Sequence, residues 1–253
     1  MSDAKNVEDV SESICESISM AIAEGALRPG MKVHEDVIAR HFGVSRTVAR
    51  GALAILERER VLERRRNHGC FVATPDKIQA GHLLEARRAI ELAIVARAAQ
   101  TVSSDALDGL LAATHDEDAV HSGDDAAAKN RISGNFHLEL ALAAGNTVLF
   151  EALKTIIARL ALVSALYERE SSNRCGAHDH RDILEAIRQK DDARAVSLME
   201  DHLEELENRM DLTAPPDEQH SLSAVLERFA PMSATSQRAR RNGSGKAQTQ
   251  PLT

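Results

Sequence analysis

The 253-residue chain has no tryptophan, one tyrosine and five phenylalanines. A surface that stacks successive bases of a single strand needs such rings, so that mode of nucleic-acid binding is excluded. Cys15, Cys70 and Cys175 are three in number and scattered, which argues against a disulfide framework and fits a reducing cytoplasm. No apolar run approaches the roughly 18 residues that a membrane helix needs, so no spanning segment is expected. The start, MSDAKNVEDVSESI, lacks a basic stretch followed by an apolar one and does not read as a secretory leader. There is no glycine-rich phosphate loop and no internal repeat.

Charge is present but unevenly distributed. The net charge is −8. Residues 1–75 balance 11 Lys/Arg against 11 Asp/Glu, residues 76–211 carry 15 against 25, and residues 212–253 carry 5 against 3. Within the first part, residues 43–75 hold seven Arg against three Glu, a local excess of +4. A small basic patch beside an acidic body can approach phosphates although the total is negative.

Apolar spacing divides the chain into three parts: 1–75, 78–211 and a tail, 212–253, whose polar composition reads as disordered. Residues 1–9 read as frayed. Val10, Ile14, Ile18 and Ile22 mark a first helix, ended at Gly25. Val37, Ile38 and Phe42 mark a second. Gly43-Val44 breaks it, and Ser45 caps a third, carried by Ala49, Ala52, Leu53 and Leu56. Val61-Leu62, a polar turn at 66–69 and Cys70-Phe71-Val72 read as a hairpin. Helix, tight turn, helix and hairpin make a winged helix-turn-helix. With Ala49, Leu53 and Leu56 turned inward, Arg46, Thr47 and Arg50 face outward at the start of the third helix, where they can meet base edges and phosphates of a duplex. Ser45 with the helix N-terminus, and His68-Gly69 at the hairpin tip, are further candidate contacts. The helical part should consist of helices at 78–101, 104–122, 125–144, 147–170, 178–190 and 192–210.

Residues 27–75, with Pro29-Gly30, Ile38-Ala39, Phe42-Gly43-Val44-Ser45-Arg46-Thr47, Arg50, Ala52-Leu53, Leu56, His68-Gly69 and Phe71-Val72, resemble the DNA-binding domain of GntR-family bacterial transcription regulators. Four places depart from the family pattern: Asp36 stands where some members carry a DNA-contacting Arg, Val48 where Pro is common, Gly51 where Glu is usual, and Arg60 closes a stretch usually ending in Gly. Arg87-Arg88-Ala89-Ile90-Glu91, Phe136-His137, Ala144-Gly145-Asn146, His180 to Ile187 and Met199 to Leu203 resemble, in order and spacing, the FCD ligand-binding domain of the FadR-like GntR subfamily. The resemblance implies a mainly α protein: a winged helix-turn-helix followed by an all-helical bundle of six to seven helices.

It also implies a function. A homodimer would read a palindromic operator in double-stranded DNA, and a small carboxylic acid bound in the bundle would control that reading, with relief of repression the expected sign. Many such domains hold a divalent metal of the Zn or Ni type on an Asp and three His. The histidines map to His137, His180 and His202, but Ser133 replaces the Asp. Water or an organic ligand completing the shell, weakened metal binding and no metal all remain open, with His178 or Cys175 as substitute ligands. Arg87 and Arg88 are candidate clamps for the acid, with Ser133 beside them in the pocket, while an Arg87–Glu91 ion pair is the plainer reading of Arg87. No nucleophile motif and no positioned general base accompany the histidines, so no enzyme is expected. The alternative is a regulator for which the metal ion itself is the signal.

Overall fold

The structure, a computed structural model, describes the backbone of residues 2–121, 126–168 and 177–213, and the side chains of 9–114, 134–168 and 178–213. Helix α1 (Ser2–Ala23), strand β1 (Lys32–Val33), α2 (Glu35–His41), α3 (Arg46–Arg58), β2 (Leu62–Arg65) and β3 (Gly69–Val72) come first, and six helices follow. The expectation of a frayed stretch at 1–9 is corrected: α1 begins at Ser2.

One side of α1 supplies Ile14, Ile18 and Ile22 to a core shared with Ala52, Leu53 and Leu56 of α3 and with Val61, Leu62 and Val72 of the hairpin. Ser45 caps α3 by accepting a hydrogen bond from the Val48 amide at 3.3 Å. The sheet order is β1-β3-β2, all antiparallel, so the hairpin has a third strand. Two residues are too few for periodicity to register, and β1 was not foreseen. Gly69 opens β3 with φ +103°, and a Cβ there would stand 3.3 Å from the Lys32 side chain. Glycine therefore lets β1 and the hairpin tip meet closely.

The remaining elements are α4 (Lys77–Thr101), α5 (Ser104–His121), α6 (Ala126–Ala143), α7 (Thr147–Tyr167), α8 (Ala177–Arg188) and α9 (Asp192–Asn208). They are the expected six helices, with ends within a few residues of the sequence reading. Asn146 caps α7 with its side-chain oxygen on the Val148 and Leu149 amides, and Asp76 and Asp191 cap α4 and α9. Helix α4 packs along both α7 and α9, and α8 packs on α5 and α9. Ile94, Val95, Leu140, Leu153, Ile183, Leu184, Met199 and Leu203 fill the resulting core. The expected loop at 122–124, the break at 171–173, Cys175 and the tail from 214 onward lie outside the described residues.

Among the described residues no helix is long and apolar enough to cross a membrane.

Candidate metal centre and nucleic-acid interface

His137 on α6, His180 on α8 and His202 on α9 come from three helices and are buried, with 1%, 0% and 3% of their surfaces exposed. Their Nε2 atoms converge: that of His202 lies 3.3 Å from that of His137 and 3.3 Å from that of His180. The rings are held from behind. Phe136 stacks on His180 with centroids 3.8 Å apart and planes at 9°. Asp179 Oδ2 lies 3.5 Å from His202 Nδ1.

The Glu91 carboxylate of α4 meets His137 Nδ1, and its other oxygen accepts from Arg87 Nε at 2.5 Å. Burial pushes the Glu91 carboxyl up, but the Arg87 charge and the hydrogen bonds from His137 and Arg87 outweigh it and hold the group below the usual carboxylate range. Burial pushes His137 down, so its imidazole is neutral. The neutral ring donates Nδ1–H to Glu91, which leaves a bare Nε2 lone pair directed at the centre. Asp179 selects the same tautomer for His202.

Two bare nitrogens at 3.3 Å repel each other unless a cation lies between them. Arms of about 2.0–2.1 Å from zinc to imidazole nitrogen give a tetrahedral edge of about 3.3–3.4 Å. The donor set, its spacing and its carboxylate support fit a divalent metal of the zinc type. Ser133 lies in α6, and its side chain is outside the described residues. His178 is 78% exposed and faces Asp182 at 3.4 Å, so it does not join the three converging rings.

Glu91 was not singled out from sequence as part of this centre. A signal existed: Glu91 stands seven residues from both Leu84 and Ala98 on the buried stripe of α4, where a charge needs a partner. Arg87 makes the plainer ion pair, to Glu91. Arg88 pairs instead with Glu207 at 3.0 Å and Glu200 at 3.4 Å, both on α9.

On the other module, Ser45, Arg46, Thr47, Arg50 and His68 are exposed, and the first four lie at the start of α3. Both arginines carry acidic partners from α2. Arg46 Nε lies 2.8 Å from Asp36, and Arg50 makes two bonds to Glu35, at 3.1 and 2.9 Å. Glu35 also receives Arg64 of the wing at 3.3 Å, and these two arginines hold its carboxyl below the usual range. Arg65 lies over the Phe71 ring, 4.4 Å from its centroid. The sequence had not suggested that α2 carboxylates would organise the arginines of both α3 and the wing.

A winged helix-turn-helix followed by a helical bundle with a buried histidine cluster defines a class of two-part bacterial regulators. The family model described as bacterial regulatory proteins, gntR family, matches residues 10–72, and the FCD domain model matches residues 82–205. The chain belongs to the GntR family in its FCD-bearing, FadR-like form and is a transcriptional regulator of that type. It is similar to the Uxu operon regulator of Haemophilus influenzae, with 29% identity over 229 residues, 81% of this chain and 85% of that one. Its fold is similar to that of E. coli McbR/YncC, with TM-score 0.70, 17% identity, and 79% and 95% of the two chains covered. A GntR regulator structure from Rhodococcus sp. RHA1 gives TM-score 0.65 at 24% identity, with 78% and 95% covered.

Proposed function

We propose that the chain is a homodimeric repressor in which the helical domain, 78–211, senses a small carboxylic acid on a divalent metal and controls operator binding by the winged domain, 1–75. The observation that carries the sensing half is the convergence of three buried Nε2 atoms backed by Glu91. His137, His180 and His202 would hold the ion. Bound there, the ion would supply a Lewis-acid seat for a carboxylate oxygen; Ser133 stands in the sequence where the family has Asp. Arg87 sits beside the centre through Glu91 and is the nearer clamp for the acid. Arg88 is the second candidate, in competition with Glu200 and Glu207.

The exposed start of α3 supports the DNA half. Arg46 and Arg50 take base edges or phosphates, Ser45 and Thr47 take phosphates, and His68 and Gly69 at the wing tip approach the backbone. Two copies place two recognition helices about one DNA turn apart. The Haemophilus relative, an operon regulator, supports control of an operon. Effector and DNA communicate through their different affinities for two arrangements of the winged domains.

A second reading, in which the ion itself is the signal, draws on the 0–3% exposure of the three rings, a closed donor set.

The test begins with the metal content of protein purified without chelator or nickel resin, alongside His137→Ala. About one ion per chain, lost in the variant, is expected. A panel of carboxylic acids should then shift operator affinity only in the metal-loaded protein. An ion that alone controls operator affinity favours the second reading. Absence of metal from both proteins overturns the metal seat. Operator binding that survives both Arg46→Ala and Arg50→Ala overturns the interface.

A further inference from the structure

A cavity of about 360 Å³ lies where the base of the wing meets the helical body. Arg60 and Glu63 line it from the winged module, Thr74 from the connector, Gln79 from α4 and Arg159 from α7. Both acidic groups on the wall are engaged: Glu57 by Arg64 at 2.6 Å and Glu63 by Arg65 at 2.6 Å. The Arg159 guanidinium is different. It is half-buried, and among the described residues it has no hydrogen-bond or ion-pair partner. The charge acting on it is another cation, Arg60, and burial together with Arg60 pushes it below its usual range.

Arg60 carries a second cost. Its φ is +58°, in the left-handed region that favours glycine. A glycine would make the same turn from α3 into β2 without strain. The chain therefore holds a strained arginine opposite a half-buried, unpartnered one across a polar cavity. Like charges at such a place are stabilised by an anion between them, and two guanidiniums match an oxyanion that carries two charges and several acceptor oxygens.

We infer that the Arg60–Arg159 cavity binds a phosphate group, free or carried by a small metabolite, at the junction of the winged module and α7. The site is separate from the three-histidine centre and does not depend on the function proposed for that centre. Gln79 and Thr74 supply neutral polar groups on the same wall. Because its two arginines come from the two modules, an occupied site ties them together.

Thermal unfolding of the full chain tests this, with inorganic phosphate and glycerol phosphate as probes against sodium chloride of equal ionic strength. Phosphate at about 10 mM should raise the melting temperature by a few degrees beyond the chloride control. The rise should be lost in Arg159→Gln and in Arg60→Gly, and kept in His137→Ala. Arg60→Gly relieves the left-handed strain, so it should melt no lower than the parent in phosphate-free buffer, and its loss of response would not reflect misfolding. A larger shift with the ester identifies a metabolite's phosphate, and an equal one identifies free phosphate. An equal response in parent, Arg159→Gln and Arg60→Gly overturns the site, as does no response in the parent. A response lost only in His137→Ala places the anion at the histidines and also overturns it.

Discussion

Asp36 is the residue where this chain departs most tellingly from its family. An acidic side chain on α2 sits 2.8 Å from Arg46, on the face proposed to meet DNA. The pair is exposed, with 72% and 47% of the two side chains open to solvent, so it contributes little to stability. Its effect falls on binding. Arg46 must leave a carboxylate before it can reach a phosphate, and the carboxylate itself repels the duplex. Asp36→Asn should therefore tighten operator binding by roughly 3- to 10-fold at about 0.1 M salt, with the gain shrinking as salt rises. Fluorescence anisotropy at two salt concentrations checks this, and an unchanged or weaker affinity would sink the argument. Cysteine chemistry is also decided residue by residue. Burial, then Glu57, pushes the Cys70 thiol up to about 12, and burial, then Glu59, pushes Cys15 up to about 11. A raised thiol pKa means the neutral, unreactive form persists through pH 8. In a Cys175→Ser background, Ellman's reagent at pH 8 should find no fast-reacting thiol until the protein is denatured. A rapid native reaction would contradict the burial of Cys70 and the half-burial of Cys15.

The helices were legible because they carry repeated apolar positions, and some of them a capping residue as well. Ser45 and Asn146 announce the starts of α3 and α7 from sequence alone. The three histidines were legible through family spacing. Their support was not. Glu91 lies 46 residues from His137 in sequence, and only the packing of α4 against α6 brings them together. The carboxylate sought near Ser133 thus has a counterpart of another kind: Glu91 grips a histidine from behind and is not itself among the three converging ligands. This gives an ordered prediction. Glu91→Gln keeps a hydrogen-bond acceptor but removes the charge that fixes the His137 tautomer, and should weaken metal retention by roughly 10- to 100-fold. Asp179→Asn acts on His202 from a longer 3.5 Å contact, at 37% exposure, and should cost less. Competition with a chromophoric chelator ranks the two variants, and circular dichroism confirms that both are folded. Equal retention in parent and Glu91→Gln would remove Glu91 from the centre.

At the scale of the molecule, α7 joins what the sequence read as separate parts. One of its sides gives Leu153 and Ile157 to the core of the bundle, and another gives Leu160, Val163 and Tyr167 to a cluster with Leu83 and Leu84 of α4. A third side gives Ala158, Ala161 and the fully buried Leu162 to the core of the winged module. The connector is held as well, since Tyr167 Oη donates to the Pro75 carbonyl at 3.1 Å. Apolar periodicity could show that α7 is a helix but not which neighbour each of its sides meets. The consequence is mechanical: the winged module cannot lose its core without disturbing α7. Leu162→Ala should cost about 2–5 kcal/mol. The absence of tryptophan makes the test simple, because Tyr167, the one tyrosine, reports the junction alone. If α7 couples the modules, tyrosine fluorescence and far-ultraviolet circular dichroism should follow one denaturant transition in the parent, and both should move to the same lower midpoint in Leu162→Ala. A variant in which the tyrosine signal moves while the helical signal stays would show that the junction opens independently, and the winged module would then be a tethered passenger instead of part of a shared core.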